Sequence, residues 1–126
     1  MSVRVLVVDD HEPFRLAAAA VIAATDGFEL VGSAESGEAS LVAVAELHPD
    51  LVLMDVQLPG IDGVESTRRI LTGHPWVRVL LLSSADAYVD AEQSGAVGYL
   101  PKRRLSPSRL HRVWADTRRQ PAVPSP

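Results

Sequence analysis

Residues 51–65 read LVLMDVQLPGIDGVE, a strand, a loop and a helix start in immediate succession. Residues 51–54 are uninterruptedly apolar, the texture of a strand covered on both faces, as parallel sheets require. Asp55 ends the run, Pro59 and Gly60 shape a loop, and residues 64–71 continue at helical spacing. On either side the same unit recurs. Apolar runs at residues 3–8, 28–31 and 77–82, and a shorter one at 98–100, read as four further strands. Residues 14–24 and 39–47 have helical spacing, and Leu110, Val113, Trp114 and Thr117 share one face of a last helix. Such alternation demands parallel strands joined by right-handed crossovers. The fold class is therefore α/β, an open, doubly wound five-stranded sheet with about five helices on its two faces. The punctuation agrees: Pro13 suits a first helical turn, Gly27, Pro49 and Gly73 follow helices, and Ser106 with Pro107 reads as an N-cap and the first residue after it.

A chain of 126 residues can bury a genuine core as one domain. We expect that domain at residues 1–119, followed by a fraying tail, 120–126, that carries three prolines. Apolar residues make up 47% of the sequence and charged residues 22%, which indicates neither disorder nor a membrane protein. The longest nearly apolar stretch, residues 16–24, is too short to span a bilayer, and Met1 leads into a strand rather than a signal core. A cytoplasmic location is expected. Without cysteine there is no disulfide framework, no thiolate metal site and no thiol redox chemistry. The formal charge of -4 divides unevenly: residues 1–101 carry 15 acidic and 5 basic side chains, residues 102–119 carry 1 and 7. The acidic part argues against direct nucleic-acid binding. The basic end is either a solvated helix face or a dock for an acidic partner.

Asp9 and Asp10 stand where the first strand stops, and Asp55 where the third stops. In a doubly wound sheet those strands can be neighbours at the switch point, so the three carboxylates should share the crevice outside their carboxyl ends. Like charges held together need a cation. Carboxylate and carbonyl oxygens with no sulfur and no well-placed histidine match hard Mg²⁺, with Asp10 and Asp55 as ligands. Taken singly, such aspartates are turn formers or helix caps. Taken together, they are costly after an apolar run unless solvated or ligated. Lys102, the single lysine beside eleven arginines, follows the fifth strand; as a compact point charge it can enter the same crevice. Ser83 ends the fourth strand and can donate its hydroxyl to an oxyanion, while Ser84, with Asp86 beyond it, reads better as a cap. His11, His48, His74 and His111 form no ligand pair, and no chemistry is assigned to them.

Through VLVVDDHEPFR, LVLMDVQLPGIDGVE, LLLSSAD and AVGYLPK the chain resembles the receiver domains of two-component response regulators, over residues 3–118. The first two segments look most like the subfamily that often carries a helix-turn-helix output domain. The resemblance implies a flavodoxin-like sheet of order 2-1-3-4-5. It also implies that Asp55 is the phosphorylated carboxylate, and that Asp9 and Asp10 are an acidic metal pair holding Mg²⁺ with Asp55 and the main-chain carbonyl of Gln57. Ser83 and Lys102 would contact the phosphoryl group, and Tyr99 would be the aromatic that rotates on activation. The implied partners are a sensor histidine kinase or phosphotransfer protein and a downstream protein of unknown identity; a homodimer is left open. Catalysis would be confined to the chain's own phosphorylation and dephosphorylation.

Two departures stand out. Ser83 and Lys102 are nineteen residues apart, a few fewer than in comparable members, so the fourth helix should be short or partly unwound and the usual output face altered. Pro101 precedes Lys102 where many relatives place proline after it, so a cis bond is not assumed. Rival readings are a phosphorylation-independent binding module of the same fold and a Mg²⁺-dependent phosphohydrolase. The intact acidic set argues against the first. Against the second, such enzymes usually carry an aspartate two positions after the nucleophile, where Gln57 stands. A nucleotide-binding protein would need a glycine-rich loop before Lys102, and none is present.

Overall fold

The computed structural model describes residues 2–84 and 94–117. Apolar runs become strands β1 (Val3–Val8), β2 (Phe28–Ala34), β3 (Leu51–Asp55), β4 (Arg78–Ser83) and β5 (Gly98–Pro101). They form one parallel sheet in the order β2-β1-β3-β4-β5. Among the described residues the helices are α1 (Glu12–Ala23), α2 (Gly37–Leu47), α3 (Gly63–Gly73) and α4 (Pro107–Thr117), with a 3₁₀ turn at Lys102–Arg104.

The unbroken hydrophobicity of the strands follows from their two covered faces. On one face Val5, Val7, Leu51, Leu53, Leu80 and Leu82 pack with Ala18 and Ile22 of α1 and Leu110 of α4. On the other, Leu6, Val8, Val52, Met54, Val79 and Leu81 pack with Val44 of α2 and Ile70 of α3. Each fully buried Val, Leu or Ile contributes about 1.5–3 kcal/mol, so this double core sets the strand order firmly enough to hold groups at the strand ends.

Local signals set the helix starts. Ser36 Oγ accepts from the Ala39 amide at 3.0 Å, Asp62 Oδ1 from the Glu65 amide at 2.8 Å, and Ser106 Oγ from the Arg109 amide at 3.1 Å. Pro13 lies in the first turn of α1, and Gly73 is the last residue of α3 rather than the first after it. β2 runs three residues beyond the expected 28–31, to Ala34, because Gly32, Ser33 and Ala34 pair with Leu6, Val7 and Val8 despite their turn-like composition. The shortened fourth helix expected between Ser83 and Lys102 and the tail at 120–126 fall on residues 85–93 and 118–126, outside the described residues. Among the described residues no peptide bond is cis, Pro101 included.

Candidate functional site

Asp55 is the last residue of β3 and is only 2% exposed. The chain leaves the sheet directly after it: the Val56 amide donates to the Leu82 carbonyl at 2.8 Å, and the Gly63 amide to the Val56 carbonyl at 3.0 Å. A Cβ on Gly63 would collide with the Asp55 main-chain carbonyl, so glycine is what lets the start of α3 close on the end of β3. The Asp55 carboxylate is held at both oxygens. Oδ1 accepts from the Gln57 amide at 3.1 Å, and Oδ2 accepts from Lys102 Nζ at 3.3 Å.

Asp9 follows β1, which is hydrogen-bonded to β3, and so arrives beside Asp55. It is fully buried. Its Oδ1 accepts from the His11 amide at 2.8 Å, and its main-chain carbonyl accepts from Arg15 Nη1 at 2.9 Å, which pins the turn into α1. Its Oδ2 is ion-paired with Lys102 Nζ at 2.5 Å. Lys102 reaches this point because β5 delivers it to the rim and its ammonium lies over the Phe14 ring, 4.6 Å from the centroid. Asp10 is more open, with its side chain 33% exposed.

Burial is the largest influence on the Asp55 carboxyl and raises its pKa; the Gln57 amide opposes this, the Asp9 charge adds to it, and Lys102 opposes it. The net direction is upward. The donors present are therefore insufficient to hold the anion as comfortably as water does. Ligand atoms from Asp9, Asp10, His11 and Asp55 lie within 4.8 Å of one another. Three clustered carboxylates, two of them sharing the single ammonium of Lys102, fit a hard divalent cation.

Sequence-based expectation brings Asp9, Asp10, Asp55 and Lys102 to one place, and the fold does so. Ser83 ends β4 opposite Pro101, 2% exposed and one residue past the partner of Asp55. Tyr99 pairs with Leu81 and lines a cleft of about 120 Å³ with Val97, Val113, Asp116 and Thr117, whose lining includes none of Asp9, Asp10 and Asp55. Gln57 contributes its amide to Asp55.

His11, which forms no ligand pair with another histidine, lies against the acidic group: its Nδ1 is 3.0 Å from Asp10 Oδ1 and 3.4 Å from Asp9 Oδ1. Its partners are carboxylates one and two residues earlier, so the adjacency DDH at a strand end was the available signal. Phe14 and Arg15 were missed; only the close approach of Lys102 and the turn carbonyl reveals them.

The response regulator receiver domain model matches residues 5–114. The response regulator GacA of Pseudomonas protegens is 47% identical over 103 residues, covering 79% of this chain and 48% of GacA. This chain thus spans about half the length of these curated relatives. Among solved structures, the response regulator domain of Thermotoga maritima CheB has a TM-score of 0.83 at 25% identity, covering 96% of this chain and all of that one. A two-component response regulator of the LuxR family from Aurantimonas has a TM-score of 0.84 at 28% identity, covering all of this chain and 91% of that one. The chain belongs to the response regulator receiver domain family.

Proposed function

We propose that this receiver is a phosphoacceptor switch, taking a phosphoryl group onto Asp55 from a phosphohistidine of a sensor kinase or phosphotransfer protein. The observation that carries this reading is the Asp55 carboxylate at a strand end, 3.3 Å from the Lys102 ammonium and beside the buried Asp9. An Asp55 oxygen attacks phosphorus; the new O–P bond forms as the bond from phosphorus to the donor imidazole nitrogen breaks, and the electron pair stays on that nitrogen. The product is an acyl phosphate. Lys102 balances charge spreading over the transferred oxygens, and the Ser83 hydroxyl donates to one of them. Asp10, Asp55 and the Gln57 main-chain carbonyl would hold Mg²⁺, with Asp9 completing the acidic pair. Bound there, Mg²⁺ supplies further neutralisation of the equatorial oxygens.

The added group brings about 1.5–2 negative charges if it behaves like a phosphoester. Ser83 moves toward it, and Tyr99, two positions back in the register on the neighbouring strand, turns in response. The switch works by biasing two pre-existing arrangements. Output passes to a downstream protein by direct contact, and the domain, residues 1–119, works in the cytoplasm. Among the described residues no helix is long and apolar enough to cross a membrane.

Incubation with a small phosphodonor and Mg²⁺ tests the assignment. Intact mass should show one added phosphoryl group on the wild type and none on Asp55→Asn. Equal labelling of both overturns the acceptor assignment, and labelling of neither favours a phosphorylation-independent module.

A further inference from the structure

We propose that Arg104, Arg109 and Arg112 form a docking surface for an acidic segment of the downstream protein. The inference rests on the switch reading of Asp55, and it names the chemistry of the partner to which that switch passes its output. Residues 103–115 hold four arginines and no acidic side chain, in a chain whose formal charge is -4. On α4, Leu110 and Thr117 are buried and Val113 and Trp114 half-buried, which turns Arg109 and Arg112 outward. Both are exposed, as is Arg104 in the 3₁₀ turn before the helix. Arg109 and Arg112, three residues apart, are neighbours on the helix surface, where like charges repel.

Cations elsewhere in the chain are treated differently. Arg4, Arg15, Arg68 and Arg69 each meet a glutamate, at 3.7, 3.3, 3.6 and 3.0 Å, and Lys102 meets Asp9 and Asp55. Among the described residues Arg104, Arg109 and Arg112 have no ion pair, not even with Asp116 one turn after Arg112. Carboxylates brought by a partner relieve that repulsion, and guanidinium forks fit them with paired hydrogen bonds. A long nucleic acid fits less well, because residues 1–101 carry 15 acidic and 5 basic side chains and repel a polyanion that extends past the arginines. A second copy meeting the same surface would set arginine against arginine. The surface is also joined to the switch. Lys102 is the first residue of the turn that carries Arg104; the Leu105 amide donates to its carbonyl at 3.2 Å, and Ser106 then caps α4 through the Arg109 amide at 3.1 Å. A charge added at Asp55 that draws on Lys102 is thus felt at the arginines along one short hydrogen-bonded segment.

NMR titration of the ¹⁵N-labelled full chain tests the surface, with a synthetic peptide of alternating Glu and Ala as the probe and its Gln and Ala counterpart as the control. The acidic peptide should shift amides of residues 103–112 and leave in place those near Arg68 and Arg69, whose charges Glu65 already meets. The control should shift neither. Arg104→Gln, Arg109→Gln and Arg112→Gln together should weaken the peptide about tenfold. They should not lower the melting temperature, because no ion pair among the described residues is lost. After treatment with a small phosphodonor and Mg²⁺, the peptide affinity of the wild type should change by about fivefold or more, and that of Asp55→Asn should stay as it was. No shift, equal shifts at both groups of arginines, or an undiminished affinity in the triple variant overturns the inference. So does tighter binding of a single-stranded oligonucleotide of equal charge, or movement of the same amides on concentrating the chain alone, since the occupant is then a nucleic acid or a second copy. An affinity unmoved by labelling of Asp55 overturns the output role. Absence of any labelling sinks the switch reading and the output role with it, while the peptide titration still decides whether the arginines bind an acidic segment.

Discussion

Asp55 carries its charge against the tendency of its surroundings, since burial and the Asp9 charge raise its pKa more than the Gln57 amide and Lys102 lower it. A carboxyl that holds its proton more tightly when folded adds stability below its unfolded pKa and loses it as pH rises through the folded value. At neutral pH the ionised group therefore costs the metal-free fold stability. Asp55→Asn should raise the melting temperature in EDTA at neutral pH, and the gain should vanish as pH falls below about 4, where the carboxyl is protonated in both states. Thermal scans across that range check it; a gap independent of pH would contradict the stated cause. Phe14 makes a second residue-scale case, because its ring lies beneath the ammonium that faces Asp55. An aromatic face is worth about 0.5–1 kcal/mol to such a cation, so Phe14→Leu should slow labelling of Asp55 by about two- to fivefold. Phe14→Tyr should restore the rate, which a loss of packing alone does not require.

At the scale of elements, helix starts and strand ends decide how well these residues are held. Gly63 closes α3 onto the end of β3, and a methyl there meets main chain that the central strand cannot move. Gly63→Ala should cost about 1–3 kcal/mol by overpacking, read from urea unfolding, and should also slow phosphorylation because Asp55 shifts. Asp62→Ala, which removes only the cap of the same helix, should cost about 1 kcal/mol and leave the labelling rate closer to the wild type. The apolar spacing placed α2 at residue 39 and α3 at residue 64, whereas they begin at Gly37 and Gly63. Glycine adds nothing to an apolar pattern, so its use in a close approach is invisible without the neighbouring backbone. Gly32 and Ser33 hid the end of β2 in the same way: ladder pairing with β1 overrode a composition that reads as a turn.

For the whole molecule, the acidic centre links folding to ion binding, because its ligands come from separate segments that only the folded sheet assembles. An ion that binds the native state alone adds about 2.7 kcal/mol at one hundred times its dissociation constant. Mg²⁺ should therefore raise the melting temperature of the wild type, and Asp10→Ala should lose most of that rise. Strand and helix alternation, the parallel sheet and the chemical character of Asp9, Asp10, Asp55 and Lys102 were legible in the chain, because periodicity and residue type are local properties. The resemblance supplied the strand order, which the contacts of β1 with β2 and β3 bear out. The ion pair of Lys102 with Asp9, its seat over Phe14 and the direction in which His11 turns after the DDH adjacency became visible only with the folded chain. Each is set by distances between side chains on different elements or by the path of one turn, and neither is encoded in spacing along the sequence.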